Sequence, residues 1–366
     1  MAVLWPGDAD PQLSEGLLVH SERAEVERIE EYRCQAVRTD RCRNVAVRLK
    51  SGPDDGERFV LRLGSGGLDP ELEVGDQVRV AEGVVPAGEA GTTPGVGYTL
   101  TDFERRSPML LLAIVFAVLV LVFGRLRGAL SLAGLGASLA IVLVFVVPAI
   151  LDGKSPLVVA LVGSLAIMLV TIALAHGTGP KSLAAMLGTA VSLALTVLLA
   201  LAFGEMTNLT GLSSEEAFIV QTGTGVSLEG LLLAGIVIGA LGVLDDVTVS
   251  QSSTVLALRT ANPTLGFRAL SGLAMRVGRD HVSATVNTLV LAYVGASLPL
   301  LLIFSSGTLP FFEVVNLELI AKEIVATLVG SIGLIAAVPI TTGLTALLAV
   351  REPPERLAGM DPVHAH

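Results

Sequence analysis

Long apolar runs dominate the chain after residue 107. A helix needs about 20 apolar residues to cross the hydrocarbon core of a bilayer, and seven windows approach or exceed that length. They lie at 108–124, 129–150, 156–175, 182–204, 229–250, 283–305 and 323–349. We therefore predict a polytopic α-helical membrane protein with about seven transmembrane helices, formed by residues 108–350.

The stretch before these windows, residues 22–107, shows a different pattern. Val45, Val47 and Leu49 alternate with polar or small residues, and the turn-forming run 51–56 separates them from a second alternating stretch at 59–63. Period-two alternation on either side of a turn predicts a β-hairpin. We predict a small β-barrel or β-sandwich domain, which is either a binding platform or a rigid spacer.

The two ends of the chain do not fit either pattern. Residues 1–5 are apolar but too short for a signal peptide, and Trp5 suits a membrane interface. We interpret residues 1–21 as the remnant of a membrane helix that begins upstream. Alternatively, the first spanning helix directs export of the β domain that precedes it. Residues 351–366 contain two adjacent prolines and are predicted to be a disordered cytoplasmic tail.

Composition agrees with a membrane protein rather than a soluble enzyme. Apolar residues make up 52% of the chain and the mean hydropathy is +0.72. Residues 1–107 carry 20 acidic and 13 basic side chains, and the remaining 259 carry 14 and 11. This shift places a domain boundary near Ser107, and neither part has the basic surface that a nucleic-acid partner requires.

The distribution of basic residues predicts the orientation. One set of alternate loops, together with the C-terminal tail, holds nine Lys and Arg residues, and the opposite set holds four, counting Arg105 and Arg106. Positive residues concentrate on the cytoplasmic side. We therefore expect a cytoplasmic C-terminus and, with an odd number of crossings, an extracytoplasmic β domain.

The two cysteines of the chain, Cys34 and Cys42, both lie in the β domain. Outside the cytoplasm they can form a disulfide, and in a reducing compartment they would remain two free thiols. A metal site is the weakest interpretation, because His20 is the only histidine nearby and a structural zinc needs four ligands. We predict no metal or other cofactor.

Two adjacent carboxylates, Asp245 and Asp246, interrupt the apolar run 229–258 near its middle. An Asp at the centre of a spanning helix costs about 2.5–3.5 kcal/mol even on the insertion scale, so such residues usually face a bundle interior or a wet cavity. We predict that an ion or a proton binds here, or that the acids belong to a buried network that fixes helix packing.

Helical periodicity divides the polar residues around this pair between two sectors. Gly235, Gly239, Gly242 and Asp246 share one stripe, which we predict to be the packed face because small residues allow close helix contact. On the neighbouring side of the helix, Asp245 lies in line with the hydroxyl residues Thr248 and Ser252. Gln251 adds a side-chain amide one to two turns further along.

Polar residues of two later windows are expected to converge on the pair. Asn287 lies in the sixth window, and Thr341 and Thr342 lie in the seventh. Pro339 and Gly343 flank the two threonines, so we expect an interrupted helix there, as in many transporters.

These features favour a secondary transporter or channel for an ion or small solute. The alternatives are a membrane scaffold or assembly partner without transport, and an intramembrane hydrolase. The chain lacks the His-Glu-x-x-His motif of a zinc protease and a nucleotide-binding Gly-x-x-x-x-Gly-Lys loop. An intramembrane aspartyl protease needs two acids on facing helices, whereas Asp245 and Asp246 are neighbours in the sequence. The expected partners are the lipid bilayer and further copies of the chain in a homo-oligomer.

Two segments carry a resemblance to a known family. Residues 240–253 read Ala-Leu-Gly-Val-Leu-Asp-Asp-Val-Thr-Val-Ser-Gln-Ser-Ser, and residues 175–189 begin Ala-His-Gly-Thr-Gly-Pro-Lys. They resemble the YibE/F family of bacterial multi-pass membrane proteins. The resemblance implies a bacterial plasma-membrane protein with a small extracytoplasmic domain, and it implies no particular substrate. The family commonly has a hydrophobic helix before the β domain, and this sequence departs from it there.

Overall fold

A computed structural model describes most of the chain. The described residues are 4–7, 20–33, 41–63, 70–84, 96–177, 179–213, 219–220, 224–307 and 310–351. Two compact units make up the protein, one of residues 13–119 and one of residues 1–12 together with 120–366. Cys34, residues 352–366 of the predicted tail and most of residues 1–21 lie outside the described residues.

Antiparallel strands form the first unit. They are β1 (Ser21–Arg33), β2 (Arg41–Leu49), β3 (Arg58–Leu63), β4 (Gln77–Val84) and β5 (Val96–Phe103). The described strands form one sheet in the order β3-β2-β1-β4-β5. The predicted hairpin is β2 and β3, with Val47 paired to Phe59 across it.

The sheet curls into a half-barrel around a single apolar core. The alternating residues Val26, Val45, Val47 and Val78 are almost completely buried on its inner side. Phe59 and Tyr98 bring the two edge strands together, since their ring centroids are 4.6 Å apart. One curved sheet rather than two stacked sheets therefore encloses this core.

Cys42 lies on β2 within this unit, where it is buried and disulfide-bonded. Cys34 is outside the described residues, so the pairing of Cys34 with Cys42 stays a prediction.

Long helices account for most of the second unit. The described helices are α1 (Arg106–Ile141), α2 (Val147–Leu151), α3 (Pro156–His176), α4 (Pro180–Met206), α5 (Leu228–Ala261), α6 (Phe267–Ala296), α7 (Leu298–Ser305), α8 (Phe311–Asn316) and α9 (Glu318–Arg351). A π-helical turn, Val142–Val146, joins α1 to α2.

Five of these helical stretches are long and apolar enough to cross a membrane, or six if α6 and α7, bent by 63°, form one span. The predicted number of seven crossings is not confirmed. The difference arises because the predicted windows 108–124 and 129–150 both lie in one helical stretch of 46 residues, Arg106–Leu151.

This first stretch contains a sharp break at Arg125, whose φ of 50° and ψ of −128° are not helical. The chain folds so tightly here that a Cβ on Gly128 would lie 2.2 Å from the carbonyl oxygen of Val120. In a straight helix residues eight apart are separated by about 12 Å. Only glycine fits at position 128 without moving the backbone.

Helix α5 is central to the bundle and packs against α3, α4, α6 and α9. Apolar residues from four of these helices meet in one buried cluster that includes Met168, Leu193, Leu244 and Ala337. The broad contacts of α5 explain why its polar half is enclosed by protein on one side.

Residues 4–7 pack within the same unit. The ring of Trp5 is 5.9 Å from that of Phe145, and the N–H of Gly7 donates to Asp152 at 3.2 Å.

Candidate functional site

The sequence of α5 explains where this helix begins and ends. Ser227 is its N-cap, and the Ser227 hydroxyl accepts a hydrogen bond from the N–H of Gly230 at 3.1 Å. Glu229 in the first turn and Arg259 in the last turn match the charges that a helix dipole favours at its two ends. The polar stretch from Asp245 therefore occupies the C-terminal half of one continuous helix.

Asp245 is half-buried against α3. Its Oδ2 accepts a hydrogen bond from the Thr171 hydroxyl at 3.2 Å. Its Oδ1 is buried and has no hydrogen-bond partner among the described residues. A buried carboxylate oxygen with an unused acceptor is costly unless another group neutralises or hydrogen-bonds it.

A layer of hydroxyls lies one to two turns further along α5. The Thr248 and Thr189 hydroxyls share a hydrogen bond of 2.6 Å between α5 and α4. Ser252 donates to the carbonyl oxygen of Lys181 at 3.1 Å and accepts from Thr345 of α9 at 3.3 Å. These contacts continue the polar cluster from Asp245 toward the end of α5.

Gln251 joins three helices with its side-chain amide. Its Nε2 donates to the Thr342 hydroxyl on α9 at 2.7 Å and to the Ala274 carbonyl on α6 at 3.0 Å. Gln251 is only 3% exposed, so these bonds satisfy an amide that would otherwise be buried without partners. This arrangement favours a packing role for Gln251.

Helices α4 and α9 approach each other closely beside this cluster. A Cβ on Gly188 would lie 2.1 Å from Thr341 Oγ1, and a Cβ on Gly333 would lie 2.1 Å from Thr196 Oγ1. The Thr341 hydroxyl is buried and has no partner among the described residues. Helices α4 and α9 can therefore approach closely because a glycine on one helix lies opposite a threonine on the other.

The glycine stripe on α5 is not the packed face within the chain. Gly235, Gly239, Gly242 and Asp246 are all exposed, and a Cβ on Gly235 or Gly242 would meet nothing within 4 Å. The helix is rotated so that Asp245, about 100° away from Asp246, faces α3 instead. The prediction that Asp246 lies on the packed face is wrong for this chain.

Gly239 lines a small cleft between three helices. Its Cα faces the hydroxyl of Tyr293, which would be 3.7 Å from an added Cβ. The remaining lining residues are Ala240, Val243, Leu289, Ala326 and Gly330. The cleft is separate from the cluster around Asp245, because none of the residues that bond in that cluster line it.

Two further predictions need correction. Asn287 is exposed, because it lies nine residues and about 180° beyond Gly278, which faces Gln251 and α9. Pro339 does not interrupt α9, which is helical from Glu318 to Arg351. A spanning helix tolerates a proline where neighbouring groups compensate for the lost hydrogen bond.

Sequence reasoning missed the contribution of α4. Ser182, Thr189, Ser192 and Thr196 are all buried. Their spacing of seven, three and four residues places them on one helix face, and that periodicity could have identified the face. Ser192 Oγ, like Thr341 Oγ1, has no partner among the described residues.

The long apolar helices and the enclosed polar cluster together define a membrane protein of helical-bundle type. The family model described as YibE/F-like protein matches residues 112–351, and the chain belongs to the YibE/F family. The comparison with curated proteins and the comparison with solved structures each gave no match.

Proposed function

We propose that this protein is a secondary transporter or channel for an ion or small solute in a bacterial plasma membrane, and that Asp245 is the group that binds the transported species. The observation that carries this proposal is the buried Asp245 Oδ1, which has no hydrogen-bond partner among the described residues. Polar and ionisable residues inside membrane bundles commonly mark ion pathways because their burial is expensive.

The roles of the two acids differ in this proposal. Asp245 touches Thr171 and belongs to the enclosed cluster, whereas Asp246 is exposed. We assign binding to Asp245 and only a supporting electrostatic effect to Asp246. Thr248 and Ser252 line the continuation of the cluster, and Thr341 borders it on α9.

The proposed topology has seven crossings with a cytoplasmic C-terminus and an extracytoplasmic β domain. Residues 106–151 form 46 residues of nearly continuous helix, which would be about 69 Å long if straight, more than twice the hydrocarbon thickness. The break at Arg125 is where such a stretch would turn back. This supports counting it as two crossings.

The test is flux in reconstituted liposomes that contain the wild type, Asp245→Asn or Asp246→Asn. Proton uptake is followed with an internal pH dye, and alkali and divalent cations are followed with isotopes. We expect Asp245→Asn to lower the flux of the transported ion at least tenfold and Asp246→Asn to change it no more than about twofold. Equal flux in wild type and Asp245→Asn for every ion would contradict the proposal.

A membrane scaffold or assembly partner is the second candidate function. The exposed stripe of Gly235, Gly239, Gly242 and Asp246 favours it, since an exposed acid on a spanning helix suggests a covering partner. The prediction that the chain forms a homo-oligomer is not tested by the structure of a single chain. An intramembrane hydrolase also stays a prediction; among the described residues, the side-chain partner of Asp245 is a threonine and not a second carboxylate.

A further inference from the structure

Helix α6 carries three exposed arginines on one side. Arg268, Arg276 and Arg279 are eight and three residues apart, which places them within about 80° of one another around the helix. None of the three guanidinium groups forms an ion pair or a hydrogen bond among the described residues. The buried residues of α6 lie on the opposite side and are Leu270, Ala274 and Gly278. The surface of α6 that faces away from the bundle is therefore basic.

Two of these arginines lie at the level of Gln251. The Gln251 amide donates to the Ala274 carbonyl at 3.0 Å. A Cβ on Gly278 would lie 2.9 Å from Gln251 Oε1. Arg276 lies between these two contacts along α6, and Arg279 follows directly after them. Both arginines therefore share the level of Gln251 along the bundle.

The level of Gln251 lies about one hydrocarbon thickness from the other end of α5. Glu229, in the first turn of α5, precedes Gln251 by 22 residues, about 33 Å of helix. The hydrocarbon core of a bilayer is about 30 Å thick, and each headgroup layer adds about 5–7 Å. With Glu229 at one headgroup layer, Arg276 and Arg279 lie at the other. Arg268 lies about 12 Å closer to the α5–α6 turn, outside that layer.

Helix α1 approaches the same end of the bundle after its break. A Cβ on Gly134 would lie 3.8 Å from the Cα of Thr171 on α3. A Cβ on Gly163, eight residues earlier on α3, would lie 2.5 Å from Val146, so this part of α1 is antiparallel to α3. Helix α3 starts beside the start of α5, where its first proline lies 3.2 Å from a Cβ on Gly230. Helices α3 and α5 are therefore parallel, and α1 runs against both.

Arg127 of α1 consequently lies at the level of Gln251. It precedes Gly134 by seven residues, about 10 Å toward the end of the bundle where α5 ends. Gln251 follows Asp245, the partner of Thr171, by six residues or about 9 Å in the same direction. Arg127 is exposed, and its side chain also has no partner among the described residues.

Positive charge predominates at this level of the helical unit. Asp280 is adjacent to Arg279 and four residues from Arg276, but it forms no ion pair with either among the described residues. Three arginines and one aspartate give a net charge of +2, and Asp245–Asp246 lie about 9 Å deeper in the bundle. The acidic residues of the other long helices lie at the opposite end and are Glu205, Glu229, Glu318 and Glu323. An anionic surface is what this charge fits.

We propose that Arg127, Arg276 and Arg279, which we term the arginine belt, bind the phosphate groups of anionic phospholipids. Their depth matches a headgroup layer, and an anionic leaflet attracts basic residues near its surface. A guanidinium group donates two parallel hydrogen bonds to phosphate oxygens. The arginines need not converge on one point, because headgroups form a continuous layer around the bundle.

Spin-labelled lipids test this proposal in vesicles that contain the full chain. Wild type is reconstituted in phosphatidylcholine with a trace of spin-labelled phosphatidylglycerol or spin-labelled phosphatidylcholine. The immobilised fraction of each label gives its association with the protein surface. At about 20 mM NaCl we expect phosphatidylglycerol to associate about fivefold more strongly than phosphatidylcholine. This ratio should fall toward one at about 500 mM NaCl, because salt screens exposed charges.

The variants separate contact at headgroup depth from overall charge. Arg127→Gln, Arg276→Gln and Arg279→Gln together should bring the ratio close to one at low salt. Arg268→Gln is the matched control, because it removes the same charge from the same side of α6 but outside the headgroup layer. It should keep the ratio of wild type. If the triple variant does not reconstitute, Arg276→Gln and Arg279→Gln singly should each lower the ratio by roughly 1.5-fold to twofold.

Two results would overturn the proposal. Equal association of both lipids with wild type at low salt would exclude anionic lipid as the partner and leave an acidic protein segment as the occupant of the belt. A loss in Arg268→Gln as large as that in Arg276→Gln would show that overall charge, rather than contact at headgroup depth, sets the preference. Neither result depends on flux, so the transport proposal stands or fails separately.

Discussion

The hydroxyl of Thr171 on α3 donates to Asp245 Oδ2 on α5 at 3.2 Å, and Oδ1 of the same carboxylate has no partner among the described residues. One bond fixes the direction of the carboxylate and leaves its other oxygen unused. The Thr171 hydroxyl also lies 2.9 Å from the Ile167 carbonyl, which competes with the carboxylate for its single proton. Among the described residues, the hydrogen bond from Thr171 is therefore what orients the Asp245 carboxylate.

Replacing Thr171 by valine should impair ion binding without removing the charge. Valine has nearly the same shape but cannot donate, and a hydrogen bond to a charged group contributes about 1.5–3 kcal/mol. We expect roughly a tenfold loss of ion affinity, measured as the concentration that gives half-maximal flux. Thr171→Ser keeps the donor and should stay close to wild type. Equal losses in both variants would point to packing rather than the hydrogen bond.

The α4–α9 contact predicts a strong effect of adding one methyl group. Gly188→Ala would place a Cβ 2.1 Å from Thr341 Oγ1, so the Thr341 side chain or one of the two helices must move. Overpacking of this kind costs about 1–3 kcal/mol. Thermal unfolding in detergent should show a lower midpoint for this variant.

Gly242→Ala is the matched control for that change. Its Cβ would meet nothing within 4 Å, and alanine has the higher helix propensity, so this variant should be neutral or slightly more stable. Adding Thr341→Ala to Gly188→Ala should recover part of the lost stability, because the two positions touch. A double variant less stable than the sum of the single changes would contradict the contact.

The Gln251 amide predicts a stability effect that is independent of transport. Gln251→Leu removes the donor to the Thr342 hydroxyl and the Ala274 carbonyl, with an expected cost of about 1–3 kcal/mol. Asn287→Leu, a similar change at an exposed position of α6, should have little effect. Thermal unfolding of both variants makes the comparison, and a larger loss in Asn287→Leu would refute the packing role.

Much of the framework follows from sequence periodicity. The hairpin of β2 and β3 follows from alternation around a six-residue turn, and the structure places Asp245, Thr248, Gln251 and Ser252 along one helix as the 3.6-residue period requires. Both features depend on residues close together in the chain. Local spacing is therefore enough to predict them.

The rotation of α5 could not be predicted in the same way. The helical period alone places Asp245 and Asp246 on different sides of α5. Which of the two sides faces the bundle interior depends on the helices that pack against α5. Thr171 and Thr189 are 74 and 56 residues away from Asp245 along the chain. Small residues on a spanning helix are compatible with close packing and also with exposure, so Gly235 and Gly242 gave no decisive signal.

The continuity of α9 was missed for a related reason. Proline removes one backbone hydrogen bond, but whether the helix then breaks depends on neighbouring contacts. Thr341 packs against Gly188 and Thr342 accepts from Gln251, so the turn after Pro339 is held from two sides. A single sequence contains no record of those contacts.

The β domain offers a prediction that depends on pH. The Tyr98 hydroxyl donates to Asp54 Oδ2 at 2.8 Å, and this hydrogen bond, together with burial, raises the pKa of Tyr98 to about 12. The unfolded chain would ionise Tyr98 near its ordinary pKa of 10. The bond therefore contributes stability below pH 10, and that contribution is lost as the pH rises through about 12.

Absorbance at 295 nm measures this ionisation directly in the full chain. Tyr32→Phe and Tyr293→Phe, introduced together, leave Tyr98 as the only tyrosine, because the chain has three. We expect Asp54→Asn in that background to lower the pKa of Tyr98 toward 10, since the charged acceptor is gone. Asp55→Asn should leave the pKa near 12, because the Tyr98 hydroxyl bonds to Asp54 rather than to its neighbour. Equal pKa values in the Asp54 and Asp55 variants would show that the hydrogen bond is not what holds Tyr98 protonated.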